Sequence, residues 1–348
     1  MPLPRPACAP LSATARLAPA ALAAALMTAC APQPQPLMPV TPAPVPAPAP
    51  RPAMVPPPTA RPHTTARPAA RRAADEATPA PAPPSAASQT MTQYLQGIQD
   101  TLLARGLLRT DGGGPARPSA ATLAKNFVQI ALRDEYQMTA GRLVPDAHPA
   151  PLRRWDQPVR LSVEFGDSVP DATRARDRAV IGDFAARLSR VTGHPVALGG
   201  DGGNFVVLIV NEDERRAIGP RVARLIPGIP QSDLHAIENL SPQNYCTVFA
   251  YSPGAGRAYS NAVAVIRAEL PEPLRTSCVH EELAQGMGLA NDSPDARPSI
   301  FNDDEEFAFL TTQDELLLKM LYDPRLRPGM TETEARPIID RIAAELVR

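Results

Sequence analysis

Apolar positions in the C-terminal two thirds of the chain repeat at two spacings, one typical of strands and one typical of helices. From Val159 to Phe165 apolar and polar residues alternate, which predicts a strand. Residues 171–192 carry apolar side chains at helical spacing and are followed by a glycine, which predicts a long helix. Short apolar runs predict four more strands, at residues 196–198, 205–210, 245–251 and 262–268.

The glycine-rich stretch 199–203 lies between two of these strands. It resembles a phosphate-binding loop only superficially, because no Lys-Ser/Thr pair follows and the next element is a strand. We therefore expect a tight hairpin turn there. Apolar periodicity predicts helical segments at residues 89–106, about 120–136, 212–240 and 331–347, the last of which opens with a Thr-x-x-Glu capping box.

A further helix is predicted near residue 278, in the stretch 278–292, with Gly288 as its stop. Its side chains separate into two faces, which is typical of an amphipathic helix. The apolar face consists of Val279, Leu283, Met287 and Ala290, and the polar face of Glu281, Glu282 and Gln285.

The composition of the N-terminus differs from the rest of the chain, because most of the 44 prolines lie there while aromatic residues make up only 4% of the sequence. Residues 1–29 contain arginines before an apolar Ala/Leu run, which predicts a secretory signal peptide. The run ends Leu-Met-Thr-Ala-Cys30 and resembles the bacterial lipobox, which implies cleavage before Cys30 and lipidation of its thiol. The alternative is an ordinary signal peptide cut nearby.

The remainder divides into three segments. Residues 30–88 are rich in proline and alanine and cannot bury enough apolar surface to fold, so we expect a disordered tether. Residues 89–150 form an N-terminal helical lead-in, and residues 151–348 the main domain. Cys246 and Cys278 are the cysteines left in the exported part, and an oxidising compartment favours a disulfide between them, with two buried free thiols as the alternative.

The spacing Glu281-Glu282-x-x-Gln285-x-x-Gly288-x-x-Asn291 resembles the HExxHxxGxxH/D pattern of metzincin zinc peptidases. The register that starts at His280-Glu281 cannot build such a site, because Ala284 stands where a second histidine is needed. The resemblance implies that Glu281, Gln285 and Asn291 occupy the ligand positions and Glu282 that of the general base. One carboxylate and two amides suit zinc poorly, since zinc favours nitrogen and sulfur ligands.

Downstream residues extend the resemblance to about residues 150–325. Residues 310–322 resemble the closing helix of matrixin-type metzincins, and Ile300 stands where that family has the methionine of its Met-turn. The implied fold is α+β: a metzincin-like domain with a mixed twisted sheet and a long active-site-type helix, plus N-terminal helices. The chain also resembles an uncharacterised bacterial lipoprotein domain family with the signature EELxQxLGLxND, which residues 281–285 and 288–292 match. This resemblance implies a fold but no mechanism.

The expected function is a binding or scaffolding module in the cell envelope, without zinc-peptidase catalysis. The alternative is a divergent metal-dependent hydrolase with Glu282 as general base. For the polar helix face itself, three interpretations stay open: a solvated surface, a residual peptide-binding cleft, or a hard-cation site completed by Asp292, Asp295 and residues 303–306.

The remaining expectations concern cofactors, partners and location. No cofactor is expected, with zinc or calcium as the alternative. The expected partners are the membrane, through the lipid on Cys30, and an envelope protein, a peptide or the cell wall. A net charge of −1 gives no electrostatic reason to expect nucleic acid. The domain should face the periplasm, and the absence of Asp at position 31 favours the outer membrane.

Overall fold

A computed structural model describes residues 83–114, 118–139, 142–253, 258–302 and 304–348, all within one compact unit, Asp75–Arg348. The signal peptide, Cys30 and nearly all of the expected tether lie outside these residues. The helices are α1 (Ala86–Ala104), α2 (Ala120–Ala131), α3 (Asp171–Thr192), α4 (Glu212–Arg216), α5 (Gly219–Leu225), α6 (Gln231–Glu238), α7 (Leu274–Gly286), α8 (Thr312–Leu321) and α9 (Glu332–Leu346). The strands are β1 (Arg133–Thr139), β2 (Arg142–Pro149), β3 (Arg154–Trp155), β4 (Val159–Phe165), β5 (Val196–Leu198), β6 (Phe205–Val210), β7 (Cys246–Tyr251), β8 (Ala258–Tyr259) and β9 (Asn261–Arg267).

A five-stranded mixed sheet in the order β5-β4-β6-β9-β7 forms the centre of the domain. β5, β4, β6 and β9 run parallel, whereas β7 pairs antiparallel with β9 and forms an edge of the sheet. All six residues of β6 are buried, as expected for a strand covered on both faces. The prediction of a fold that mixes helices with a mixed sheet is confirmed.

The predicted hairpin turn at residues 199–203 is wrong. β5 and β6 both pair parallel with β4 and lie on opposite sides of it, so the loop between them crosses β4. The crossing is close, because a Cβ added to Gly203 would overlap with the carbonyl oxygen of Arg160. Glycine is therefore required at position 203, because the loop backbone passes directly beside the backbone of β4. The short connection gives no sign in the sequence that β5 and β6 lie on opposite sides of β4.

Helices cover both faces of the sheet. On one face, Val207, Ile209 and Ala264 pack in the main core with side chains of α3 and α7, and α1, α2, α8 and α9 extend the same core. On the other face, Val206 and Val265 pack with side chains of α5 and α6. The predicted lead-in therefore packs in one core with the main domain. Among the described residues, no helix is both long and apolar enough to cross a bilayer.

The helix expected at residues 120–136 ends earlier than predicted. α2 stops at Ala131, and β1 (Arg133–Thr139) and β2 (Arg142–Pro149) follow it as an antiparallel pair. The helix end is fixed by long-range bonds: Asn291 N donates to the Ile130 carbonyl at 3.1 Å, and Ala150 N donates to the Leu132 carbonyl at 3.0 Å. Since these partners are distant in sequence, the local pattern could not show where the helix ends.

α7 begins at Leu274, four residues before the predicted stretch, and ends as predicted before Gly288. Gly288 has φ +122°, and its N–H donates to the Gln285 carbonyl at 2.8 Å. A Cβ at this position would overlap with the carbonyl oxygen of Arg153. Ala290 lies beyond the helix and lines a cleft, so its assignment to the apolar helix face is wrong.

Gly288→Ala should lower the free energy of unfolding by at least about 2 kcal/mol, because the new side chain meets both an unfavourable φ and a backbone oxygen. Gly97→Ala is the matched control. Gly97 is exposed within α1 and has free space around it, so the same change should raise the free energy of unfolding by about 0.5–1 kcal/mol. Urea unfolding of both variants measures the two effects. Equal effects at the two positions would contradict the assigned turn.

Candidate functional site

A cleft of about 250 Å³ runs along the open edge of β7, between this strand, the polar face of α7 and the start of β1. Residues 246–250 of β7 all line it. Successive side chains of a strand point to opposite faces of the sheet, so a cleft that touches five consecutive residues lies against the edge of the strand. The cleft therefore exposes backbone groups of β7.

The register of β7 shows which of its backbone groups face the cleft. Tyr245 accepts a hydrogen bond from Arg267 N at 3.3 Å, so the odd-numbered residues that follow bond to β9. The even-numbered residues, Cys246, Val248 and Ala250, direct their N–H and C=O groups to the open edge. Among the described residues no other strand pairs with this edge, and the β1–β2 hairpin pairs only with itself.

A disulfide joins Cys246 at the start of β7 to Cys278 in α7, with a Cα–Cα distance of 6.0 Å. The predicted pairing is confirmed, and the alternative of two free thiols is excluded. The bond connects the two walls of the cleft at one end. Val248 lies further along the same wall against Gly286, whose hydrogen side chain allows the close approach.

The structure brings together two of the three predicted ligand positions. Glu281 and Gln285 line the cleft from α7. Asn291 is buried and does not line it, since its Nδ2 donates to the Gln129 carbonyl at 2.8 Å and to the Asp292 carbonyl at 2.7 Å. The remaining carboxylate and amide do not form a zinc-binding set. In the described part of the chain, no three His, Cys, Asp or Glu side chains are placed to hold one metal ion.

Glu282 is the buried carboxyl group of the site. Its side chain lines the cleft, the residue is 3% exposed, and its Oε2 has no hydrogen-bond partner among the described residues. Burial raises the pKa of Glu282 well above its ordinary value, and the charges of Glu135 and Asp292 raise it further. Both causes shift the equilibrium of this carboxyl towards its neutral form.

A second cavity of about 200 Å³ adjoins the cleft and shares residues from both of its walls. We call it the acidic recess. Its lining includes five carboxylic acids and three amide side chains, namely Glu135, Glu281, Glu282, Asp292, Glu305, Gln243, Asn244 and Asn302. Burial raises the pKa of Tyr245, which also lines the recess, to about 12, with smaller contributions from neighbouring groups that include Glu305 and Glu281.

Sequence reasoning named some of these acids and missed others. Asp292 and the segment 303–306 were expected near a cation, and Asp292 and Glu305 do line the recess. Glu135 was missed because it was assigned to a helix. A glycine at position 141, between two runs compatible with strands, is the sequence signal that could have indicated the hairpin carrying it.

Asp314 holds a loop that lines part of the recess, and it is fully buried at the start of α8. Its carboxylate accepts hydrogen bonds from Ile300 N at 3.1 Å and from Thr311 N at 2.8 Å, and also from the Ser299 hydroxyl. Burial raises the pKa of Asp314 to about 6 in spite of these donors. The side chain thereby fixes the loop that places Ile300 and Asn302 in the recess.

A buried ion network holds the loop that precedes β7. Arg267 forms an ion pair with Glu212, and donates to the carbonyls of Leu240 and Ser241 at 3.0 and 2.9 Å and to that of Asn244 at 3.1 Å. Glu212 also pairs with Arg215 at 2.9 Å, and these three ionised residues are each at most 3% exposed. Since Asn244 lines both cavities, the network positions one wall of the site.

His280 belongs to the core and does not line either cavity. Its Nδ1 accepts a hydrogen bond from Leu310 N at 3.0 Å, and its ring stacks on Phe184 with centroids 4.0 Å apart. Burial, with a smaller contribution from the charge of Arg187, lowers the pKa of His280 to about 3. The imidazole is therefore neutral at neutral pH and packs in the core.

Two comparisons bear on identity. A search of curated proteins found no match for the chain. The model of a domain family matches residues 120–341, which span the chain from α2 into α9 and include every residue placed in the cleft and the recess. The predicted resemblance to an uncharacterised domain family is thus confirmed. The chain belongs to the family described as Protein of unknown function (DUF2927).

Proposed function

We propose that this protein is a cell-envelope lipoprotein whose folded domain binds an extended peptide along β7 and does not hydrolyse it. The observation that carries the proposal is the cleft against five consecutive residues of an edge strand, whose outer side pairs with no other strand among the described residues. An exposed edge offers a row of backbone donors and acceptors that a peptide can complete as an added strand. The alternate side chains of that peptide would then enter the space beside α7.

The scaffold we propose is metzincin-like. Its support is the order of elements, in which β4, α3, β5 and β6 precede an antiparallel edge strand, β9 and the helix α7. Further support comes from Glu281 and Gln285 one turn apart in the cleft and from the Gly288 turn below them. The position of Asn291 and the lack of imidazole ligands argue against zinc-dependent hydrolysis, so binding is the function retained on this scaffold.

The alternative is a divergent hydrolase with Glu282 as general base, and the observation that favours it is the raised pKa of this carboxyl in the cleft. Metal analysis separates the two functions. Stoichiometric zinc that is lost in the Glu281→Ala/Gln285→Ala variant, together with cleavage of library peptides, would establish the hydrolase. We expect neither, because only two of the expected ligands meet in the cleft.

Val248→Pro should weaken peptide binding at least about tenfold. Proline removes the N–H that faces the open edge and leaves the pairing of β7 with β9 in place. The probe is a library of capped seven-residue peptides, screened by fluorescence polarisation against the chain without residues 1–29 and with Cys30→Ala. Val248→Thr is the matched control, because it keeps the backbone donor and the branched shape.

Thermal unfolding of both variants is measured beside peptide binding, to show that each variant is folded. Val248→Thr should bind as the unsubstituted chain does. If folded Val248→Pro binds the same peptides with unchanged affinity, the peptide does not pair with β7 and the proposed function is wrong.

The lipid anchor is tested separately. Cys30 lies outside the described residues, and the proposal rests on the lipobox resemblance alone. Cys30→Ala in the full chain should release the protein from the membrane fraction, because one residue carries the lipid. Cys8→Ala serves as the control, since that cysteine lies in the signal peptide. Membrane association that survives Cys30→Ala would contradict the proposed anchor.

A further inference from the structure

The acidic recess lies where a side chain of the bound peptide would arrive. It shares Cys246, Asn244 and Glu281 with the cleft along β7. Side chains on a strand alternate between the two faces of a sheet, and the Cys246 and Val248 side chains point to the α7 side. Every second side chain of a strand added beside β7 would therefore extend towards α7 and the recess.

The charge of the recess is one-sided. Five carboxylic acids line it from three parts of the chain: the start of β1, α7 and the segments after α7. No lysine, arginine or histidine is among the described residues that line it. Closely placed carboxylates in a partly enclosed cavity raise each other's energy, so a positive group that enters is favoured.

Two buried polar atoms in the recess lack hydrogen-bond partners among the described residues. These are Oε2 of Glu282 and Nδ2 of Asn302, in residues that are 3% and 2% exposed. Buried polar groups in folded proteins are nearly always hydrogen-bonded, so the two atoms indicate a place for a polar ligand. Glu282 is an acceptor when ionised and would accept from a cationic donor.

The arrangement of the acids favours an organic cation over a metal ion. A metal ion needs several ligand atoms that converge on one point, at about 2.3–2.6 Å for the oxygens around Ca²⁺. Among the described residues no three acidic, histidine or cysteine side chains are placed to do so. An ammonium or guanidinium group has three to five donors and bonds to acceptors that are spread around it. The carboxyl and amide groups on separate walls match the second geometry.

We propose that the acidic recess binds the lysine or arginine side chain of the peptide that pairs with β7. The inference rests on the proposed function, since the peptide backbone on β7 is what brings the side chain to the recess. The raised pKa of Glu282 agrees with it, because a cation that enters would restore the ionised carboxylate. The domain would then select cationic extended peptides.

The test compares peptides that differ at one position. The probes are capped seven-residue peptides from the library, each made with lysine, arginine, norleucine or glutamate at every position in turn. At one position, lysine and arginine should bind at least about tenfold more tightly than norleucine, which has a similar length and no charge. Glutamate at that position should bind more weakly than norleucine.

The Glu282→Gln/Glu305→Gln variant should bring the ratio of lysine to norleucine affinity close to one. Both changes keep the side-chain volume, and Glu282→Gln alone serves if the double variant does not fold. Glu164→Gln is the control, because Glu164 pairs with Arg221 away from both cavities and its loss should leave the ratio unchanged.

Three results would overturn the inference. They are equal affinity for lysine and norleucine at every position, a lysine preference that survives the double variant, and stoichiometric Ca²⁺ binding in calorimetry that the double variant abolishes. The experiments distinguish a failure of this inference from a failure of the proposed function. Binding that depends on Val248 without any lysine preference removes only the recess assignment, whereas binding of no peptide removes both.

Discussion

Glu212→Gln is expected to lower the free energy of unfolding by about 3–5 kcal/mol, because it leaves two buried guanidinium groups without their anionic partner. Arg215 and Arg267 are both 1% exposed, and Glu212 pairs with each of them. When one member of a buried ion network is removed, the remaining charges stay buried. No partner then compensates for the hydration that they lost on folding. Urea unfolding followed by circular dichroism measures the change.

The same substitution should also weaken peptide binding. Arg267 holds the carbonyls of the loop that leads into β7, and this loop supplies Asn244 to the cleft. Glu164→Gln is the matched control at a partly exposed pair with Arg221 and should cost less than about 1 kcal/mol. If the two substitutions destabilise equally, the network does not position the site as described.

Acidification should act on the same network in a defined direction. Burial raises the pKa of Glu212, but hydrogen bonds from Arg216 and Arg215 outweigh it, so the folded-state pKa lies below the ordinary value of 4.5. An acid whose pKa is lowered by folding stabilises the fold above its unfolded pKa. That contribution is lost as the pH falls below about 4.5 through the folded pKa.

Removing the disulfide should cost about 3–4 kcal/mol in the chain-entropy model, because Cys246 and Cys278 are separated by 32 residues. The variant is Cys246→Ala/Cys278→Ala, measured by urea unfolding. Reduction of the unsubstituted chain with dithiothreitol should produce the same loss. The double variant is its own control, since dithiothreitol should not affect its stability.

The bond should matter for binding as well as for stability. It joins the edge strand to α7 at one end of the cleft, so its loss lets the two walls separate and should reduce peptide affinity. Equal stability of the unsubstituted chain with and without dithiothreitol would contradict the disulfide. Unchanged peptide affinity in the double variant would show that the bond does not maintain the cleft.

The local pattern of apolar and polar residues was sufficient to predict much of the fold. The bounds of α3 and of β4 to β6 follow from periodicity and from a glycine at a helix end, both of which depend on neighbouring residues. Counting cysteines was sufficient to predict the disulfide, because only Cys246 and Cys278 follow the predicted signal peptide and Cys30 in the sequence. These features depend on residues that are close together in the sequence or on the number of cysteines.

Features set by distant contacts could not be read in this way. The order β5-β4-β6 depends on Gly203 passing the backbone of Arg160, and the end of α2 depends on a bond from Asn291. The same distance explains why Asn291 does not meet Glu281 and Gln285: its amide bonds to Gln129, on an element far from it in sequence. Spacing within one helix predicts which face a residue occupies, and it does not predict which partners reach that face.

Burial also separated Glu282 from its predicted surroundings. The helical pattern placed it on a polar face with Glu281, whereas in the structure it is buried and lines the recess with Glu135 of β1 and Asp292 from the segment after α7. The first residues of β1, including Glu135, were assigned to a helix, so the sequence did not indicate this wall of the acidic recess. Its five acids come from segments that only the folded chain brings together.

Amide hydrogen exchange of β7, with and without the tightest library peptide, tests the central claim most directly. If the peptide pairs with the open edge, the outward amides of Val248 and Ala250 should exchange at least about tenfold more slowly when it is bound, as expected for a new backbone hydrogen bond. The amides of Thr247 and Phe249, which already bond to β9, should change less. Saturating peptide that leaves Val248 and Ala250 unprotected would contradict the account.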